Sequence, residues 1–182
     1  MPSWSREWCA IRRDGWDTVV EYSFNRNGER GGVDVVGWRE DTRALLLVEV
    51  KSRIVDIQEM LGTLNRKARI VPGEVAADRG RRAVRLGIVV VLPDRSSARD
   101  AVARHAAIFG AALPGRTRDV TAWLRGPDRD LRAVWFLRDT HGAGKAERRS
   151  AARPSVGPES ARFGPPARFI DSSNRPERQI EG

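Results

Sequence analysis

Two apolar runs that carry charged residues constrain the fold of this chain more than any other feature. The first is Val33–Val36, which contains Asp34, and the second is Leu45–Lys51, which contains Glu49. Both runs have the length and the β-branched content of buried strands bounded by turn residues. A charged side chain in a buried strand is costly unless something compensates it. The two runs therefore predict a functional site where their charged residues meet.

These residue types fit a divalent cation bound beside a phosphodiester. Mg²⁺ is usually held by one or two carboxylates together with waters and phosphate oxygens. Asp34 and Glu49 would supply the carboxylates, and the Val50 carbonyl would add a ligand. Because side chains alternate along a strand, Glu49 and Lys51 point to the same face. There Lys51 would orient or deprotonate the attacking water and offset charge on the phosphate.

The alternative for these residues is an ordinary salt bridge on the exposed face of an antiparallel sheet. Such a strand would alternate between apolar and polar residues. The run from Leu45 to Val50 is instead apolar on both faces apart from Glu49, which indicates a central strand. This pattern favours a site over a surface ion pair.

Asp34, Glu49 and Lys51 resemble the motif of the PD-(D/E)XK nuclease superfamily, the fold of many restriction endonucleases and archaeal Holliday-junction resolvases. The family pattern is an acid on the second core strand followed by Glu/Asp-x-Lys on the third, and Val33 stands here where the family often has proline. The resemblance covers roughly residues 5 to 95. It implies an α/β fold, with a restriction-endonuclease-like mixed central sheet flanked by helices. It also implies Mg²⁺ or Mn²⁺ as cofactor and DNA hydrolysis that leaves 5′-phosphates.

The resemblance implies supporting residues as well. Many family members carry a polar residue on the helix after the third strand, and Gln58 is the candidate here. An acid on the first helix is also common, which singles out Glu7, and Glu21 in the strand-like run before Asp34 is a second candidate. The alternative for Gln58 is a solvated helix position. For Glu7 and Glu21 it is a surface charge, which is the favoured interpretation.

Periodicity and turn residues predict the order α-β-β-β-α-β-α-β. A helix from about residue 56 to 71, capped by Asp56, follows the Glu-x-Lys strand, with a continuation past Pro72 as far as Gly80. This helix would be the crossover between two parallel strands. The segment Val120–Leu124 is ambiguous. The remaining predicted elements are a helix in residues 1–14, strands near 17–24, 32–38, 45–52, Val84–Leu92 and Leu131–Leu137, and a helix from Ser96 or Ser97 to about residue 110.

The net charge of +9 favours a polyanionic partner, and among polyanions nucleic acid, with DNA implied by the family. Three lysines stand beside thirty arginines, so part of the charge reflects the codon use of a GC-rich genome. Between residues 66 and 85, seven basic residues outnumber two acidic ones. Lys67, Arg69, Arg81 and Arg82 are the candidates for phosphate contacts. The alternative is a solvated helix face and loop.

Composition divides the chain into a nuclease-like domain over residues 1–140 and a basic Gly-, Pro- and Arg-rich tail over residues 141–182, which we expect to be disordered. The N-terminus has no apolar signal segment, and no stretch approaches the ~20 apolar residues of a membrane span. A single cysteine fits a reducing compartment. These features predict a cytoplasmic protein without membrane contact.

Two alternatives to an active deoxyribonuclease remain open. The first is a binding module that keeps the nuclease fold for DNA or protein contact with weak or absent catalysis. The second is the toxin or regulatory half of a partnered system. Nuclease relatives often form homodimers, for which the segment Val102–Phe109 or the region of Trp123 and Trp135 would supply the interface. The sequence does not distinguish DNA from RNA, or linear, branched and single-stranded substrates.

Overall fold

The computed structural model describes residues 15–26 and 28–138. The predictions for Glu7, for the helix in residues 1–14 and for the tail 141–182 lie outside these described residues. Five strands and four helices form in the described part. They are β1 (Asp17–Arg26), β2 (Glu29–Arg39), β3 (Ala44–Val50), α1 (Ile57–Arg79), β4 (Arg85–Pro93), α2 (Ser96–Arg104), α3 (Ala106–Ala112), α4 (Thr117–Arg125) and β5 (Leu131–Leu137).

The strands form one mixed sheet in the order β1-β2-β3-β4-β5. The pairs β1–β2 and β2–β3 are antiparallel, whereas the pairs β3–β4 and β4–β5 are parallel. Helix α1 is the crossover from β3 to β4, and α2 to α4 together connect β4 to β5. The predicted fold class, α/β with a mixed central sheet, is confirmed.

Helices cover both faces of the sheet. On one face, α1, α2 and α3 pack over apolar side chains that include Leu47 and Val90. On the other face, α4 packs over Leu46 and Val89. Strand β3 is buried over its first six residues because both layers cover it, which confirms that it is a central strand.

The predicted continuation of the helix past Pro72 is confirmed, whereas the helix after β4 differs from its prediction. Helix α1 continues through Pro72 to Arg79 because Val71 and Val75 keep its apolar face against the sheet, and Gly80 ends it with a φ of 65°. The helix predicted from residue 96 to 110 is two helices separated at His105, and Arg95 rather than a serine is the N-cap of the first. The ambiguous segment Val120–Leu124 lies in α4.

The β1–β2 hairpin bends at Glu21 and Asp34. Pairing is present at Val20↔Val35 and at Tyr22↔Val33 but not between Glu21 and Asp34, and Glu21 has a φ of 54°. The pairing of β2 with β3 extends only as far as Val35↔Val48. The outer half of the hairpin therefore leaves the sheet and packs against α1.

Contacts between the hairpin and α1 hold the bend in place. Tyr22 and Phe24 pack in the same cluster as Val71. Arg26 forms an ion pair with Glu74 at 3.3 Å. A second surface ion pair joins Arg69 of α1 to Glu29 of β2 at 3.0 Å.

The aromatic residues predicted for a dimer interface lie inside the monomer. Trp123 and Trp135 are 3% and 6% exposed, and Phe109 is fully buried. Trp123 stacks at 5.4 Å on Trp16, so its ring belongs to the core. These side chains therefore do not supply an interface, while homodimerisation itself stays a prediction. No helix among the described residues is long and apolar enough to cross a membrane.

Gly87 of β4 is required by the ring of Trp123. A Cβ at position 87 would lie 2.6 Å from that ring, whereas a Cβ at Gly62, on α1, would meet nothing within 4 Å. We expect Gly87→Val to lower the free energy of unfolding by about 1–3 kcal/mol because it overpacks the core. Gly62→Ala, the control, should raise it by about 0.4–1 kcal/mol. Urea denaturation measures both, and equal stabilities of the two variants would contradict the packing at Trp123.

Candidate active site

The candidate site lies at the carboxyl end of β3, where β2 has separated from it. The Val50 amide donates a hydrogen bond to Asp34 Oδ2 at 2.6 Å, and the next amide, that of Lys51, donates to the Val91 carbonyl at 2.9 Å. Beyond Val35 the backbone of β2 no longer pairs with β3, and the Asp34 side chain takes its place as acceptor. The bend in the hairpin thus brings the first predicted acid beside the Glu-x-Lys segment.

Glu49 is a buried carboxylate between two lysines. It is 2% exposed and follows Leu45 and Leu47 on the face of β3 that packs against α1. The Lys67 ammonium donates to Oε1, and the Lys51 ammonium lies 3.5 Å from Oε2. Glu49 therefore has the compensation that a buried charge requires.

Lys51 is the partner of Glu49 that reaches solvent. Its side chain is 40% exposed, against 3% for Glu49. Both residues line a cleft of about 210 Å³ between the end of β3 and the start of α1. The other lining residues are Arg53, Ile54, Val55, Asp56, Glu59, Met60 and Thr63.

Two of these cleft residues were not predicted as site residues. Arg53 is exposed and lies in the connection between β3 and α1, two positions after Lys51. Glu59 lies in the first turn of α1. Its backbone amide donates a hydrogen bond to Asp56 Oδ1 at 2.9 Å, which caps the helix, and Glu59 also lines the cleft. The proximity of Glu59 to Glu49 depends on where α1 begins relative to β3.

Gln58 does not lie in this cleft. It is exposed and lines a neighbouring groove together with Arg104 and His105. Consecutive residues of an α-helix point about 100° apart, so Glu59 rather than Gln58 faces the predicted site. Gln58 therefore lies outside the cleft, and the supporting role predicted for it stays a prediction.

Glu21 lies where the predicted hairpin would place it, opposite Asp34 on β1. Its side chain is exposed, and β2 separates its strand from β3. The hairpin is confirmed, while a role for Glu21 as an additional acid stays a prediction.

The four residues predicted to contact phosphate do not form one surface with the site. Lys67 is 8% exposed and points at Glu49, which does not fit a contact with bulk nucleic acid. Arg69 is paired with Glu29. Arg81 pairs with Asp17 at 2.6 Å and its guanidinium lies 5.7 Å from the Trp38 ring centre.

Arg81 and Arg82 also lie far from Glu49. They follow the C-terminal end of α1, whose first turn lines the cleft. A helix of 23 residues is roughly 34 Å long. The basic segment is continuous in sequence but is spread along the whole helix in space.

A third carboxylate near the carboxyl ends of the parallel strands, Asp94, is tied to α2. Arg99 donates a hydrogen bond to Asp94 Oδ1 at 2.6 Å, and this hydrogen bond lowers the pKa of the Asp94 carboxyl. Arg99 also lies over the Phe136 ring at 4.6 Å. Asp94 therefore serves the β4–α2 connection.

Asp34 and Glu49 are the residues that would hold a divalent cation. Within residues 15–26 and 28–138, no group of three or more His, Cys, Asp or Glu side chains is placed to bind a metal ion. Two carboxylates are nevertheless the usual protein contribution to a Mg²⁺ site, because waters and phosphate oxygens complete the octahedron. Each carboxylate oxygen has two lone pairs, so the present hydrogen bonds leave acceptor capacity. The donor set thus fits one Mg²⁺ or Mn²⁺, and a ligand role for the Val50 carbonyl stays a prediction.

Two substitutions of Asp34 distinguish the contribution of its hydrogen bond from that of its negative charge. Asp34→Ala leaves the Val50 amide without its acceptor, so we expect the free energy of unfolding to fall by about 1–3 kcal/mol. Asp34→Asn retains an acceptor oxygen and should lose less than half as much. Urea denaturation of the two variants tests this, and equal losses would show that the hydrogen bond does not stabilise the strand end.

The structure brings together Asp34, Glu49 and Lys51, adds Lys67, Arg53 and Glu59, and leaves Gln58 outside. No family model, curated protein or solved structure matches this chain.

Proposed function

We propose that this protein is a metal-dependent nuclease that hydrolyses DNA phosphodiester bonds with Mg²⁺ or Mn²⁺. One observation carries the proposal. Asp34 accepts a hydrogen bond from the Val50 amide at 2.6 Å, and Val50 lies between Glu49 and Lys51, which are 3.5 Å apart and line one cleft. Their separation in sequence makes this convergence a property of the fold.

Each residue has a role that follows from its position. Asp34 and Glu49 would hold the cation on the α1 side of β3. A divalent cation there activates water and stabilises negative charge that develops on a phosphate. Lys51, the more exposed lysine, would reach the scissile phosphate and the attacking water. Arg53, on the same cleft, would contact a neighbouring phosphate.

The net charge of +9 supports a nucleic acid as the substrate, although the abundance of arginine discounts this argument. Arg53 is the exposed cation closest to the proposed chemistry in sequence. Substitution of Arg53 should therefore weaken binding of any nucleic acid that the cleft accepts.

Cleavage of labelled linear duplex, single-stranded and four-way-junction DNA with Mg²⁺ or Mn²⁺ tests the nuclease proposal. We expect cutting that EDTA abolishes and that Lys51→Ala slows by about 100-fold or more, because proton transfer or charge stabilisation is lost. Arg118→Ala removes an exposed cation from α4, on the other face of the sheet, and should leave the rate unchanged. A Lys51→Ala rate equal to wild type would contradict the role of this lysine.

A second candidate is a DNA-binding or regulatory module of the same fold with weak or no catalysis. The partners of the two acids favour it, since Asp34 serves the Val50 amide and Glu49 is paired with Lys67. In that case both carboxylates would be structural. Fluorescence anisotropy would then detect DNA binding in the same samples that show no cutting with either metal ion.

A further inference from the structure

Lys67 occupies an apolar position of α1. It lies between Leu64 and Val71 on the buried stripe of the helix and is 8% exposed. A buried ammonium is costly without a partner. Lys67 has Glu49, whose Oε1 accepts its hydrogen bond.

The two lysines at Glu49 differ in their freedom to move. The Lys51 side chain is 40% exposed and stands at the cleft, so it can turn toward a bound phosphate. The Lys67 side chain is 11% exposed and is held within the helix–sheet interface. The positive charge of Lys67 is therefore a fixed part of the site, while that of Lys51 can be redirected.

The two carboxylates that would hold a cation are matched by two ammoniums. Asp34 and Glu49 carry formal negative charges, and Lys51 and Lys67 carry formal positive ones. The cleft adds one further positive and two further negative formal charges, from Arg53, Asp56 and Glu59. The two ammoniums at Glu49 weaken the attraction of this carboxylate for a divalent cation, because each of them repels the cation over a few ångströms. A phosphodiester in the cleft would add negative charge and would also draw Lys51 away from Glu49.

We propose that Lys67 makes divalent-cation binding depend on the nucleic acid, so that the cation is held together with a DNA phosphate rather than ahead of it. This inference rests on the proposed function, because it requires cation and DNA to share this site. Lys67 acts through Glu49 and is a positioning residue. The repulsion from its fixed charge prevents tight cation binding until a phosphate is present.

Mn²⁺ binding to the full chain tests the inference, with the electron paramagnetic resonance signal of free Mn²⁺ as readout. The DNA is a phosphorothioate-substituted duplex with single-stranded arms, and DNA mixed with Glu49→Gln protein corrects for Mn²⁺ bound to the DNA. We expect DNA to strengthen Mn²⁺ binding to wild type by about tenfold or more. Equal affinities with and without DNA would overturn the inference, and this comparison needs no variant of Lys67.

Variants of Lys67 test the fixed charge itself. Lys67→Gln keeps an N–H donor for Glu49 and removes the charge, so we expect Mn²⁺ to bind the DNA-free protein about tenfold more tightly. Lys67→Arg keeps the charge and should keep the wild-type affinity. Arg118→Gln, a charge removed from the opposite face, is the matched control and should also match wild type. Unchanged or weaker Mn²⁺ binding by folded Lys67→Gln would overturn the inference.

The outcomes separate this inference from the nuclease proposal. If wild type cleaves DNA but binds Mn²⁺ equally tightly with and without DNA, the nuclease proposal is supported and the role of Lys67 is overturned. Suppose instead that no cleavage is seen, that Mn²⁺ binding depends on DNA, and that Lys67→Gln binds Mn²⁺ more tightly than wild type. These results would support the role of Lys67 and contradict the nuclease proposal. Thermal unfolding of each variant confirms that the compared proteins are folded.

Discussion

The structure depends on the burial of β3, which carries Glu49 at its end. Leu45 and Leu47 pack toward α1, and Leu46 packs toward α4, so the strand has no face left for solvent. A carboxylate at the end of such a strand must find cations nearby. Lys51 follows on the same face, and Lys67 lies on the helix that covers it. The register of α1 against β3 is therefore fixed by electrostatics as well as by packing.

A buried ion pair is weak evidence for stability, since apolar residues of similar volume often stabilise a core equally well or better. Breaking such a pair by removing one partner is strongly destabilising because it leaves an uncompensated charge. Burial of the Glu49–Lys67 pair thus carries a desolvation cost that apolar side chains would not carry. The proposed function would explain this cost, and Glu49 lines a cleft together with the partly exposed Lys51.

The bend of the β1–β2 hairpin links the fold to the site. Had β2 continued beside β3, its backbone would have satisfied the Val50 amide, and Asp34 would have faced away from that role. The missing pair at Glu21 and Asp34 turns the hairpin toward α1 and leaves a gap that the Asp34 carboxylate fills. Surface ion pairs and the packing of Phe24 hold the hairpin in this position.

The sequence by itself determined the elements and the charged residues that had to meet. Apolar runs bounded by turns predicted all five strands, and the apolar stripe of α1 predicted its place as the crossover. Asp34, Glu49 and Lys51 were identified because charges inside buried runs are conspicuous without any structure. Helix ends were less certain: Pro72 favours a stop locally, but burial of Val71 and Val75 outweighs it. The break between α2 and α3 at His105 has no proline or glycine that would predict it from the sequence.

Only the tertiary structure decided that Lys67 is the second cation at Glu49, beside Lys51. Lys67 belongs to a basic segment that was predicted to contact phosphate at the protein surface. It is instead the buried partner of Glu49 because of the way α1 lies across the sheet. The same packing turns Glu59 into the cleft and Gln58 out of it, whereas a helix rotated by about 100° would exchange them. Local periodicity fixes the face of a strand or helix, whereas the meeting of two faces depends on interactions distant in sequence.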